Sequence, residues 1–164
     1  MIPDYFNKYQ FIPKIQLSPS EELGLIVVIP SFNEPNLEKS LKSLLNCKLP
    51  NCFVEIITVI NYPSDSLPEI IENATYCNEV VKKIDNQSNN QHLRFHSILA
   101  SDLPKKQAGV GLARKIGMDE EAYRFFTINN PKGIIACYDA DSDCMDNYLV
   151  ELEKLWSEFP KTNA

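Results

Sequence analysis

Leu25-Ile-Val-Val-Ile29, closed by Pro30 and running into Ser31-Phe-Asn-Glu34, is the stretch that decides the fold. An unbroken run of mostly β-branched residues has no side for solvent, so it reads as a central strand of a parallel sheet, buried on both faces. Moving outward, Pro35 is expected in the first turn of a helix whose apolar stripe is Leu37, Leu41, Leu44 and Leu45. Phe53-Val-Glu-Ile-Ile-Thr-Val-Ile60 is a second strand. Ser66-Leu-Pro-Glu69 has the capping-box pattern, ahead of a helix carrying Ile70, Ile71, Val80 and Val81. The polar run at 85–91 reads as a loop, and residues 93–99 as the third strand. A helix follows over 109–126, with Val110, Ala113, Ile116 and Met118 turned toward a core. Residues 134–138 form the fourth strand, and Tyr148, Leu152, Leu155, Trp156 and Phe159 mark a last helix.

Strand then helix, four times over, implies an α/β fold with helices on both faces of a mainly parallel sheet. Right-handed crossovers then favour the strand order 3-2-1-4. Ligands of such sheets bind beyond the carboxyl ends of the strands where the order reverses, here strands 1 and 4. Residues 1–22 read as an N-terminal arm and residues 23–164 as the domain. Four parallel strands make a thin sheet, and the expectation is a truncated form of a larger fold.

Composition narrows the function classes. The 164 residues carry a net charge of −6, which lacks the basic footprint of a nucleic-acid binder. No stretch approaches the roughly 18 apolar residues of a membrane span, and the N-terminus has no continuous apolar core of a signal peptide. Five cysteines without a C-x-x-C pair point to reduced thiols in a cytosolic protein. Cys137, on the fourth strand, is expected to be buried, and Cys144, beyond it, exposed.

Three constellations can carry chemistry. Asp139-Ala-Asp141 follows directly on the fourth strand, and two carboxylates at i and i+2 can share a hard divalent cation. Acidic residues are common at strand ends, so the crevice position is what gives the pair weight. Asp139, Asp141 and Asp143 also match the start of an EF-hand loop. Cys144 and Val150 stand where that loop needs Gly and Glu, and a strand precedes it, which excludes a calcium sensor. Lys105, Lys106, Gly109, Gly111, Arg114 and Lys115 gather at a helix start, where backbone amides and a guanidinium form a diphosphate site. The same group reads equally well as a solvated basic face. Pro30, Phe32, Asn33 and Glu34 lie at the crevice mouth, with Asn33 as a helix N-cap and Glu34 as a first-turn acid. His92 and His96 share a strand face but have no evident co-ligands, and read as packed or exposed side chains.

Taken together, IVVIPSFNE at 26–34, AGVGLARKIGMD at 108–119 and YDADSDCMDNYL at 138–149 resemble the family 2 glycosyltransferases of GT-A fold, a Rossmann-like three-layer α/β/α architecture. The resemblance covers nearly the whole chain after about residue 23. It implies that Pro30, Phe32 and Glu34 lie against the nucleoside of a UDP- or GDP-sugar, and that Arg114, with Lys105 or Lys106, meets its phosphates. Asp139 and Asp141 would be the DxD pair that holds the donor through Mn²⁺ or Mg²⁺, Asp141 being the more direct ligand. Where the family has an acidic pair after strand 2, this sequence has Ile60 and Asn61, and Asn61 is the candidate for base recognition. The family's catalytic base lies well past the DxD, and no residue of this chain matches it. The implied activity is inverting transfer to a saccharide or lipid-linked acceptor, in cell-envelope polysaccharide or glycoconjugate synthesis. The implied location is cytoplasmic, including the cytoplasmic membrane face. The competing reading is a non-catalytic nucleotide-binding module on a doubly wound fold. Nucleotidyl transfer is weaker, since Pro30-Ser-Phe-Asn-Glu-Pro-Asn36 lacks the glycine-rich loop it needs.

Overall fold

The computed structural model describes residues 4–88, 90–103 and 108–158. Its elements are α1 (Asp4–Lys8), β1 (Leu23–Ser31), α2 (Leu37–Leu45), β2 (Phe53–Pro63), α3 (Pro68–Gln87), β3 (Leu93–Leu103), α4 (Val110–Thr127), β4 (Ile134–Cys137) and α5 (Tyr148–Glu158). The sheet order is β3-β2-β1-β4 and every pairing is parallel, as the crossover argument required. No described helix is long and apolar enough to cross a membrane.

Alternation along β1 divides the core into two layers. Leu25, Val27 and Ile29 face α2, α3 and α5, meeting Leu41, Leu44, Cys77, Val81 and Leu149. Leu23, Ile26 and Val28 face α4, meeting Ala113 and Phe125. Each such side chain taken fully out of water contributes about 1.5–3 kcal/mol, and the strand buries both sets, so it can sit only at the centre. Helix α4 lies close because Gly117 faces the sheet. A Cβ there would lie 2.5 Å from Val28 Cγ1 and 3.2 Å from Val59 Cγ2.

The inward face of α4 departs from the sequence expectation. Val110 and Met118 are exposed, while Ala113, Gly117, Glu120, Glu121, Arg124 and Phe125 are buried. Three of these are charged types, which an apolar stripe cannot reveal. Arg124 makes a bidentate pair with Glu55 of β2, at 2.5 and 2.6 Å, and donates to the Leu17 carbonyl at 2.9 Å. Burial opposes ionisation of Glu55, but the neighbouring His96 ring and the hydrogen-bonded Arg124 guanidinium outweigh it and hold the carboxyl below its ordinary range. Glu120 accepts the backbone N–H groups of Lys14 and Ile15 at 2.8 and 3.1 Å, tying the arm to the helix. Phe6 and Phe11 of the arm pack on Tyr123, with ring centroids 5.5 and 5.2 Å away.

Several local expectations are corrected. Ser66 forms no capping box. The helix starts at Pro68 with Leu67 as N-cap, one residue later than the pattern needs, and the Ser66 hydroxyl instead donates to the Pro63 carbonyl at 2.7 Å. Helix α3 runs on through Asp85-Asn-Gln87, so the expected loop begins only at Ser88. Asp85 is held there by Arg94 and by the Phe95 N–H at 2.8 Å. Pro35 precedes α2 rather than opening it, and Asn36, not Asn33, is the N-cap. In α5 it is Leu149 that is fully buried while Leu155 is exposed; Phe159 and the side chain of Trp156 lie outside the described residues. Cys137 is exposed and Cys144 half-buried, the reverse of expectation. The reason is topological, because β4 is an edge strand and its α4-side residues, Ile135 and Cys137, are only partly covered.

Candidate functional site

The site is built where β1, β2 and β4 end. Pro30 is buried and pairs in register with Val59, so β1 continues to Ser31 before the chain turns out. Phe32 emerges 45% exposed, and Asn33 takes a left-handed φ of 47°, which asparagine tolerates better than most residues. Glu34 then closes the turn by accepting the Asn36 N–H at 2.8 Å. The Cys77 thiol lies 3.6 Å from the Glu34 carbonyl and ties the loop to α3.

Asn61 at the end of β2 is buried. Its Nδ2 donates to the carbonyl of Gly109, the N-cap of α4, at 3.5 Å. Its Oδ1 has no partner among the described residues; the same holds for Ser31 Oγ on the neighbouring strand and for Arg114 Nε. Buried polar atoms without partners are uncommon and cost free energy, so three of them at one sheet edge mark a place where a polar ligand would be welcome. Ser31 was missed by sequence reasoning, although a hydroxyl ending an apolar run at the crevice was a usable signal.

Arg114, one turn into α4, donates through Nη2 to Asp139 Oδ1 at 2.8 Å. Two residues selected separately in the sequence thus meet. Asp139 begins one residue after the ladder ends, since the Tyr138 N–H still donates to the Val28 carbonyl at 2.9 Å. Ala140 is buried in the core and anchors the loop between two exposed carboxylates, Asp139 and Asp141. Asp143 is drawn aside by Lys39 of α2. A Cβ on Gly109 or Gly111 would meet nothing within 4 Å, so the start of α4 is open to a ligand.

Not every candidate joins the site. Lys115 turns to Asp119 and to the Tyr5 hydroxyl, at 2.5 and 3.2 Å, and so serves the arm. Lys105 and Lys106 lie outside the described residues. His92 precedes β3 and stacks on Phe53 at 4.2 Å, while His96 lies 3.8 Å from Glu55, so both are packing residues. No three His, Cys, Asp or Glu side chains converge on a metal position among the described residues.

Residues 26–94 match the sequence model of glycosyl transferase family 2. That stretch is similar in sequence to the family 2 glycosyl transferases. It spans β1 through the start of β3, and so contains Pro30, Phe32, Glu34 and Asn61 but neither Arg114 nor the acidic pair. No curated protein matches the chain significantly. Among solved structures, residues 1–349 of TarS from S. aureus share the fold, with a TM-score of 0.52, 14% identity and 84% of this chain covered. TarS 1–349 in complex with UDP gives the same TM-score at 17% identity. This chain spans 33% of those chains. The all-parallel sheet between two helical layers is the GT-A-like, Rossmann-like arrangement.

Proposed function

We propose that this chain is a family 2 glycosyl transferase segment and belongs to the donor-binding part of an inverting enzyme that takes a UDP-sugar. The observation that carries the reading is the Arg114–Asp139 pair, together with the unpartnered Asn61 Oδ1 and Ser31 Oγ at the carboxyl ends of β2 and β1.

The Asn61 amide already spends its N–H on Gly109, leaving a lone acceptor. That acceptor suits a base edge presenting an imide N–H, as uracil or guanine does and cytosine does not. Uracil is favoured because TarS, which shares the fold, was solved with UDP. Pro30, Phe32 and Glu34 flank the nucleoside, with the exposed Phe32 ring as a stacking surface. Arg114 is the phosphate ligand, assisted by Lys105.

Asp139 and Asp141 would hold Mn²⁺ or Mg²⁺. Two exposed hard-oxygen carboxylates fit such an ion, which usually keeps waters and substrate phosphates as its remaining ligands. When bound, it would neutralise charge on the departing diphosphate. Arg114 and Asp139 would have to part for this, and the cost is small. Their side chains are 42% and 64% exposed, and exposed pairs contribute about 0–1 kcal/mol. Transfer to a saccharide or lipid-linked hydroxyl would need a general base that no residue of this sequence matches in the family. The chain alone is therefore expected to bind donor and turn over little. The reading sets the reaction in the cytoplasm, at the membrane face when the acceptor is lipid-linked.

Calorimetric titration with UDP and GDP, with and without Mn²⁺, tests the proposal. UDP binding that requires the metal and disappears in Asp141→Ala is expected. Binding indifferent to both metal and mutation would replace it with a non-catalytic nucleotide-binding module.

A further inference from the structure

The loop carrying the acidic pair is laid along one side of α2. Lys39 pairs with Asp143. The Cys144 N–H donates to Ser43 Oγ at 3.3 Å. The Lys48 N–H donates to the Asp146 carbonyl at 2.7 Å, and its ammonium reaches the Asp146 carboxylate at 2.9 Å. Between these contacts the sulfurs of Cys47 and Cys144 lie 3.6 Å apart, although the residues are 97 positions apart in the chain. No other two of the described thiols are recorded in contact.

We propose that Cys47 and Cys144 are a disulfide-forming pair whose oxidation fastens the Asp139–Asp141 loop to the segment just past the C-terminal end of α2. The consequence for ligand binding rests on the donor site proposed above. Two thiols already in van der Waals contact need to close by only about 1.5 Å to reach the bonded S–S distance of roughly 2.0 Å. Cys144 sits on a loop whose next residue, Met145, is 78% exposed, so side-chain rotation can supply that movement.

The chemistry balances with a small-molecule disulfide such as oxidised glutathione. The Cys144 thiolate, the less buried of the two, attacks one sulfur of the reagent. A mixed disulfide forms and the first small thiol leaves with a proton. Cys47 then attacks the Cys144 sulfur, forms the intramolecular bond and expels the second small thiol, which takes the second proton. Two protons and two electrons thus pass to the reagent. Burial and the neighbouring Cys144 thiol push Cys47 up to about 12, so the closing step is slow, on the scale of minutes to hours. Once closed, the bond preserves the ligand-free arrangement in which Arg114 and Asp139 occupy each other.

The test incubates the purified chain with oxidised glutathione, maps disulfides by peptide mass spectrometry, and follows amide hydrogen exchange over residues 139–147. The expected product links Cys47 to Cys144, forms normally in Cys137→Ser, and is absent in Cys47→Ser and in Cys144→Ser. Exchange in the loop slows. The melting temperature rises by about 10 °C, the scale for closing a loop of about 100 residues, and the rise is reversed by reductant. Manganese-dependent UDP affinity falls about tenfold. Glutathione adducts on Cys144 that never resolve onto Cys47 in the folded protein would overturn the proposal. Linked protein whose loop amides exchange at an unchanged rate would do the same. Failure of the reduced protein to bind UDP would instead count against the donor site, because the linkage and exchange readouts need no nucleotide.

Discussion

Replacing Glu121 with glutamine should make the protein more stable at neutral pH and remove most of its alkaline sensitivity. Glu121 is fully buried on α4, and neither carboxyl oxygen has a partner among the described residues. Desolvation alone pushes its pKa from 4.5 up to about 9, so the folded protein holds it protonated at neutrality. A raised carboxyl contributes stability that is fully present below the unfolded value and lost as pH rises through the folded one. Each pH unit inside that window costs about 1.4 kcal/mol. Between about pH 5 and pH 8 the loss sums to about 4 kcal/mol, a large share of a typical total of roughly 5–15 kcal/mol. Glu55 and Asp85 are shifted the other way, so their contribution is lost on acidification, below this window. Glutamine keeps the shape and the unpartnered polar atoms and removes only the titration. Urea midpoints of wild type and Glu121→Gln, taken at half-unit intervals from about pH 5 to pH 8, separate the two. The wild-type curve should fall while the variant stays flat. Parallel curves would refute the reasoning, since they would mean that Glu121 reaches water or a counter-charge.

Three further outcomes follow from the packing. Arg124→Met leaves Glu55 buried without its bidentate partner and should cost about 3–5 kcal/mol in thermal melts; adding Glu55→Gln should recover part of that loss. Gly117→Ala drives a methyl group into Val28 and should cost about 1–3 kcal/mol by denaturant unfolding, with no change in nucleotide affinity. Phe6→Ala removes the arm's contacts with Phe11, Tyr123 and Phe126, and should expose residues 4–13 to limited proteolysis at temperatures where the sheet stays folded.

Leu25–Ile29 and the leucine stripe of α2 were legible because a continuous β-branched run marks a strand buried on both faces and a helical stripe marks a helix buried on one. The strand order was legible too, because the handedness of parallel crossovers leaves little choice once four strands and their helices are placed. Positions 30–34, 139 and 141 could be picked out because the carboxyl edge of such a sheet is set by chain direction alone, whereas Arg114 was marked by the glycines and bases at its helix start and Asn61 by the family resemblance. What could not be read was every pairing between distant side chains. Nothing in the local pattern marks Arg124 as buried; the packing of α4 on the sheet sets it against Glu55, which is 69 positions away. Arg114 and Asp139 became partners only when α4 crossed the sheet beside β4. Cys137 carried the same apolar signature as a central-strand residue, yet its place on the edge strand left it exposed. Local periodicity specifies which side of an element leaves water; only the assembled sheet and helices decide which charge, thiol or amide meets which, because those contacts depend on register and crossing distances that no short window of sequence contains.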